Sequence, residues 1–253
     1  MEHDKILIHR LIDLSKQAYN RNINTYSNFL NLHEQDLLHS IPKTSLYTPY
    51  TLVGGYDQAE RRIAVFYDAD TYATPSRETL PISILRIQPL QVKFMDELSH
   101  SDYLGAIMNL QIERDRTGDI LVDDTGAYLF VHPDMVDFLQ ENLTRVKHTV
   151  VMCQEEMVDT FVYEPKYEVI TGTVASVRLD NLLTLAFSPS RSKIVGFIEG
   201  GKTFVNGKLI TSNGYKVQEG DLISLRGFGK FQYVAAGHVS KKGRIFVTIY
   251  KYV

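Results

Sequence analysis

A chain of 253 residues, 44% hydrophobic and with a formal net charge of −3, is long enough to bury one large core or two to three small ones. It has no apolar run of the roughly 18 residues that a transmembrane helix needs, and the residues after Met1 pass into an amphipathic pattern with no signal-peptide core. Its one cysteine, Cys153, excludes an internal disulfide and a cysteine-based zinc site, so a cytoplasmic protein is expected.

Ile6, Leu7, Leu11 and Leu14 recur at helical spacing and predict a helix over residues 4–19. A second helix, 32–41, stops before Pro42. Short strands near 51–53 and 62–67 flank Gly54-Gly55, and residues 1–76 read as a small α/β domain. Pro75 and Pro81 bracket a linker. There follow a strand at 82–87, a helix at 101–110, and strands at 119–122 and 127–131 joined by the turn Asp123-Asp124-Thr125-Gly126. Pro133 opens a helix to 143, since proline suits a first helical turn, and a strand at 147–152 precedes Cys153, expected in the core. The order β-α-β-β-α-β over 77–164 is the split βαβ, or ferredoxin-like, pattern.

Pro165 marks a second linker, and the last domain is expected over 172–253. Leu179, Leu182, Leu183 and Ala186 make a short amphipathic helix. Ser188-Pro189 restarts the chain as a second helix, with Ile194, Val195 and Ile198 inward, ended by Gly200-Gly201. Thr203-Phe204-Val205 is a strand, Asn206-Gly207 a hairpin turn, and Val217 and 222–225 add β structure. A final hairpin over 233–250 turns at Lys241-Lys242-Gly243. The fold class is α+β.

The net charge conceals an asymmetry. Gly172 to Val253 holds 12 Lys and Arg against 4 Asp and Glu, a net +8, while the residues before it carry a net −11. A basic second part calls for an anionic partner. Arg191 and Lys193 fall in the first turn of the second short helix, where the helix dipole disfavours cations by about 0.3–1 kcal/mol each. Folding alone would prefer Asp or Glu there. With the Ser190 and Ser192 hydroxyls and the free N–H groups, they form a cradle for an anion, and a nucleic-acid phosphate suits it. Arg178 opens the preceding helix, and Lys202 and Lys208 flank the Asn206-Gly207 hairpin.

Arg178-Leu179-Asp180, Leu183, Ser190-Arg191-Ser192-Lys193, Ile198, Gly200, Val205-Asn206-Gly207 and Gly220-Asp221 resemble the S-four RNA-binding domain, or alpha-L motif. The resemblance implies that two short helices and a hairpin bind structured RNA, with Arg178, Ser190, Arg191, Lys193 and Lys202 as contacts. It leaves Asp180 to orient an arginine and Asn206, Gly207, Gly220 and Asp221 to form turns. Gly54-Gly55-Tyr56, Glu60-Arg61, the stretch Leu98 to Ala106, Ile112-Glu113-Arg114-Asp115 and Gly118-Asp119-Ile120 resemble the YlmH family, which places this domain last. The chain departs from that family's pattern at Ser101, usually Arg, and at Asn109 and Gln111, near which glycines are usual. The resemblance implies a bacterial ribosome-associated factor that binds ribosomal RNA and tRNA on large subunits carrying a stalled peptidyl-tRNA, with a link to cell division. It implies no cofactor, metal, membrane or small-molecule substrate.

His100 and Asp102 can be read as an acid/base pair, but no second catalytic constellation accompanies them, and helix-start roles are expected instead. His100 and Arg114 are secondary candidates for RNA contact. Two alternatives remain. An RNA-modifying enzyme would use the same module for delivery, but a methyltransferase's glycine-rich loop and a tyrosyl-tRNA synthetase's motifs are missing, and Arg178-Leu179-Asp180 opens the binding module rather than a pseudouridine synthase site. A protein-interaction adaptor would dock through the acidic first part.

Overall fold

The computed structural model describes residues 2–67, 79–91, 96–157 and 161–252. By internal contacts the chain divides into two units, Met1–Tyr163 and Glu164–Val253.

Unit 1 opens with α1 (Glu2–Arg21), whose acidic first turn and basic last residue match the helix dipole. It buries Leu11, Ser15 and Ala18 on one face. Ser15 is tolerated there because its oxygen accepts the N–H groups of Tyr47 and Thr48 at 2.7 and 2.9 Å. β1 (Thr25–Leu30) leads into α2 (Leu32–Ser40). Asn31 caps α2 through a reciprocal pair, Glu34 N–H to Asn31 Oδ1 at 3.1 Å and Asn31 N–H to Glu34 Oε2 at 2.7 Å. β2 (Tyr50–Val53) and β3 (Arg62–Phe66) complete a sheet in the order β1-β3-β2.

The expected linker begins at Pro75, which lies outside the described residues. β4 (Ser83–Pro89), α3 (His100–Asn109), β5 (Thr117–Asp123), β6 (Gly126–Val131), α4 (Val136–Asn142), β7 (Arg145–Val146) and β8 (Thr149–Glu156) follow. Their sheet order is β5-β6-β4-β8-β7, with every neighbour antiparallel. This is the split βαβ arrangement with β7 as an added edge strand. The strand expected over 147–152 starts at Thr149 and continues to Glu156, because Lys147 adopts φ 50° and turns the chain back between β7 and β8. Pro133 starts a single 3-10 turn, Pro133–Met135, before α4. One face of the sheet packs Leu85, Ile87, Leu129, Val131 and Cys153 against α3 and α4. Its other face packs Ile84 and Phe130 against Phe29, Tyr56 and Ile63, with Phe161 and Tyr163 half-buried on it. Burial pushes the Cys153 thiol up to about 11, as an apolar site does to a group that ionises by charging.

Unit 2 contains β9 (Tyr167–Val174), α5 (Leu179–Phe187), α6 (Arg191–Glu199), β10 (Thr203–Val205), β11 (Lys208–Leu209), β12 (Leu222–Leu225), β13 (Gly229–Val239) and β14 (Ile245–Tyr252). They form one six-stranded sheet, β11-β10-β12-β13-β14-β9, with α5 and α6 packed on one face. Leu179, Leu182, Leu183, Ile194 and Ile198 meet Ile223, Leu225, Phe231, Val247 and Ile249 there. β9 starts ahead of residue 172 and pairs along its whole length with β14. The second helix does not start at Ser188-Pro189. Ser188 takes a left-handed φ of 58° and ends α5, its N–H donating to Thr184 O at 3.0 Å, and Ser190 becomes the N-cap of α6. Asn206 and Gly207, at φ 50° and 80°, make the hairpin turn that two positive φ angles demand. Asn206 Nδ2 also donates to Asp221 Oδ1 at 2.7 Å, which ties that turn to the one before β12.

Candidate nucleic-acid interface

The α5–α6 end of unit 2 brings together the residues that sequence reasoning singled out. Asp180, in the first turn of α5, is 3% exposed, and three guanidinium contacts converge on it. Arg178 reaches Oδ1 through Nε at 3.1 Å and Oδ2 through Nη2 at 3.3 Å, and Arg191 reaches Oδ2 through Nη2 at 3.3 Å. Two cations therefore share one carboxylate and keep a net positive charge. Their own exposures are 41% and 71%, so the buried group is the anchor and the guanidinium groups face outward. A carboxylate can be buried this way because charged donors fill its lone pairs.

Ser190, Arg191, Ser192 and Lys193 follow in sequence at the start of α6, and all four are exposed. The Ser190 and Ser192 hydroxyls lie 3.2 Å apart, and no side chain caps the helix. The first intrahelical bond to Ser190 O comes from Ile194 N–H, leaving the preceding N–H groups as open donors. Open donors, the dipole and three cations together form an anion site with no acidic residue in the first turn.

Lys202 and Lys208 are placed elsewhere. Lys202 follows the other end of α6, about 13 Å along a nine-residue helix, with Nζ 5.4 Å from the Phe197 ring. Lys208 is exposed on β11 at the sheet edge. Sequence reasoning missed Lys216, exposed and joined to Arg178 in an isolated antiparallel bridge. Nothing local signals that pairing, because an irregular loop brings the two together.

The motifs in unit 1 do different work. Asp119 Oδ2 accepts the Tyr56 hydroxyl at 2.8 Å and Glu60 N–H at 2.7 Å, and Oδ1 accepts Arg61 N–H at 3.0 Å. Arg61 donates to the carbonyls of Thr117, Phe29 and Arg114 at 2.9, 3.0 and 3.1 Å. Arg114 Nη1 donates to Thr117 O at 2.8 Å and Gly118 O at 3.0 Å. Burial, and next the Arg61 charge, pull the Arg114 pKa down to about 10. Arg114 thus departs from its expected role as an RNA contact: these bonds fasten it inside the fold. His100 is the first residue of α3, and loss of water around its ring, then the Arg114 charge, hold its pKa below the ordinary histidine value. Asp102 is a helix-start group. It accepts from Ser99 N–H at 2.8 Å and Ser99 Oγ at 2.6 Å and pairs with Lys147 Nζ at 2.8 Å. The Lys147 and Ser99 bonds bring its pKa to about 2.

Two family descriptions match the chain: Putative RNA-binding domain in YlmH over residues 75–160, and S4 domain over residues 177–223. The second span runs from the bridge at Arg178 through α5, α6 and the Asn206-Gly207 turn. Ribosome-associated protein quality control protein P2 of Bacillus subtilis (strain 168) is 31% identical over 199 residues, which is 77% of this chain and 75% of the relative. Among solved structures, cell division protein ylmH from Streptococcus pneumoniae is similar with a TM-score of 0.50 at 25% identity, covering 62% of this chain and 93% of that one.

Proposed function

Because the chain belongs to the YlmH family of RNA-binding proteins, we propose that it is a non-enzymatic, ribosome-associated factor that grips structured ribosomal RNA or tRNA at the α5–α6 end of unit 2. The observation that carries this reading is the buried Asp180 holding Arg178 and Arg191 outward beside the uncapped start of α6. A phosphate arriving there meets guanidinium groups already oriented, N–H donors with no other partner, the Lys193 ammonium and two hydroxyls, so little side-chain freedom is lost on binding. Lys202 and Lys208 contribute more distant phosphate contacts. The ribosome-associated quality control in the Bacillus relative's name supports a role on stalled large subunits, and with it a cytoplasmic location. The name of the Streptococcus structure supports a cell-division link. The unit 1 motifs support a non-catalytic reading, because Asp102, the expected partner of His100, is bound up in the start of α3 and Arg114 in carbonyl contacts.

The test is RNA binding by the full chain with Arg191→Glu and Lys193→Glu combined. Binding to ribosomal RNA and tRNA should fall at least about a hundredfold, and wild-type affinity should drop by two to three decades between about 50 and 200 mM salt if about five phosphates are contacted. Unchanged affinity in the double variant means the surface is wrong.

A further inference from the structure

The turn between β12 and β13 reads Arg226-Gly227-Phe228-Gly229-Lys230. Gly227 and Gly229 take φ of 86° and 111°, a conformation that glycine supplies readily, and Phe228 N–H closes the turn on Leu225 O at 2.9 Å. The Phe228 ring lies 6.0 Å from that of Phe187, at the end of α5, and 5.0 Å from that of Phe197 on α6. Even so, 45% of the residue stays open to solvent. A lone exposed apolar side chain is ordinary; the surroundings of this one are not. Lys202 Nζ is 5.4 Å from the Phe197 centroid and Lys251 Nζ is 5.7 Å from the Phe187 centroid. Arg226 N–H donates to Lys202 O at 2.9 Å, which seats Arg226 beside Lys202. None of these three cations forms an ion pair among the described residues. Glu168, opposite Lys251 in the β9–β14 register, is not bonded to it.

We propose that Phe228, framed by Lys202, Arg226 and Lys251, is a stacking site for one unpaired nucleotide of the bound RNA. The proposal rests on the reading that unit 2 binds RNA, and it adds what that RNA must present: an unstacked base within about a helix length, 13 Å, of the phosphates at the start of α6. An aromatic face accepts any base, and flanking cations hold the phosphates on either side, the combination by which unpaired nucleotides are bound without sequence preference. The turn itself does not require an aromatic residue between two left-handed glycines, and packing on Phe187 and Phe197 leaves nearly half of this one in solvent. A polar residue would close the same turn and expose no apolar surface.

The experiment uses the full chain and two short RNA hairpins that differ by one bulged 2-aminopurine nucleotide. Affinity is followed by anisotropy and stacking by the fluorescence of the bulge. Wild-type protein should favour the bulged hairpin and quench it. Phe228→Leu keeps an apolar group in the turn but has no π face, and it should weaken binding to the bulged hairpin about 5- to 100-fold, abolish quenching and leave the salt dependence unchanged. Phe228→Trp should retain all three properties. If Phe228→Leu, still folded by circular dichroism, keeps the preference and the quenching, or if the wild type binds both hairpins alike, the stacking site is wrong while RNA binding stands. If the wild type binds neither hairpin, the RNA-binding reading falls and takes the stacking site with it.

Discussion

Replacing Asp180 with Asn separates orientation from charge at the α5–α6 end. The change removes a negative charge beside two arginines, so a purely electrostatic interface would gain. At about 10 Å from a phosphate, in water, the gain is about 0.4 kcal/mol, or twofold tighter binding. Orientation argues the other way. Asn offers one neutral acceptor oxygen where the carboxylate offers two charged ones, and in either orientation its NH2 group meets a guanidinium donor, so both Arg178 and Arg191 lose their charge-assisted hold. Each released side chain must be ordered again on binding at about 0.5–1.5 kcal/mol. With both arginines released, the net cost is about 0.6–2.6 kcal/mol, or binding weaker by roughly three- to eightyfold. Stability should fall by about 1–3 kcal/mol, the scale of a hydrogen bond to a charged group; the exposure of both guanidinium groups lets them rehydrate and places the loss toward the lower end. Anisotropy with labelled tRNA at fixed salt, beside urea denaturation of the same samples, measures both. Equal or tighter RNA binding by a folded Asp180→Asn protein refutes the idea that Asp180 positions the arginines.

Two further outcomes follow from unit 1. The Asp102 pKa is depressed to about 2 by Lys147 and Ser99, below an unfolded value near 3.9. Its contribution to stability is therefore complete above about pH 4 and is lost as pH falls toward 2. Chemical denaturation between those pH values should show a loss that Asp102→Asn removes, and an unchanged profile in that variant would rule the pair out. Gly126 has φ 147°, and a Cβ there would run into the Ile87 carbonyl. Gly126→Ala should cost at least about 2 kcal/mol in urea denaturation, and a near-neutral result would mean that the β4–β6 approach can relax.

Most elements of the fold were legible where apolar period and punctuation agreed. Strands at 62–67 and 127–131, both short helices of unit 2 and the Asn206-Gly207 turn all announce themselves locally. β1 went unread because Thr25 and Ser27 occupy buried positions of its alternation, with Ser27 Oγ accepting Ala64 N–H at 2.8 Å. Polar residues that satisfy backbone groups hide a period of two. β9 went unread because both of its faces carry apolar residues: Tyr167 and Val169 are 47% and 56% exposed while Val174 is buried. At the candidate site, the cations Arg191 and Lys193 in the first turn of α6 could be read directly, and so could the link between Asp180 and an arginine. That the carboxylate holds a second arginine, eleven positions along, depends on how α5 and α6 pack. The Arg178–Lys216 bridge and the Phe187, Phe197 and Phe228 cluster likewise join segments that no local pattern connects.

The unit 1 residues that carry the YlmH resemblance satisfy one another. Tyr56, Glu60, Arg61, Arg114 and Asp119 close a network of backbone carbonyls, N–H groups and one carboxylate that joins β1 and β3 to the start of β5. A network closed in this way has little left to offer a ligand, and its natural product is a rigid body. Unit 2 shows the opposite pattern. Cations stand at an uncapped helix start that folding would rather make acidic, and an aromatic ring stands open at a glycine turn among cations. Local rules are broken where something other than the fold must be satisfied. The +8 charge of residues 172–253 is therefore arranged rather than merely accumulated: Asp180 aims part of it, and Phe228 gives the rest a surface on which a base can lie.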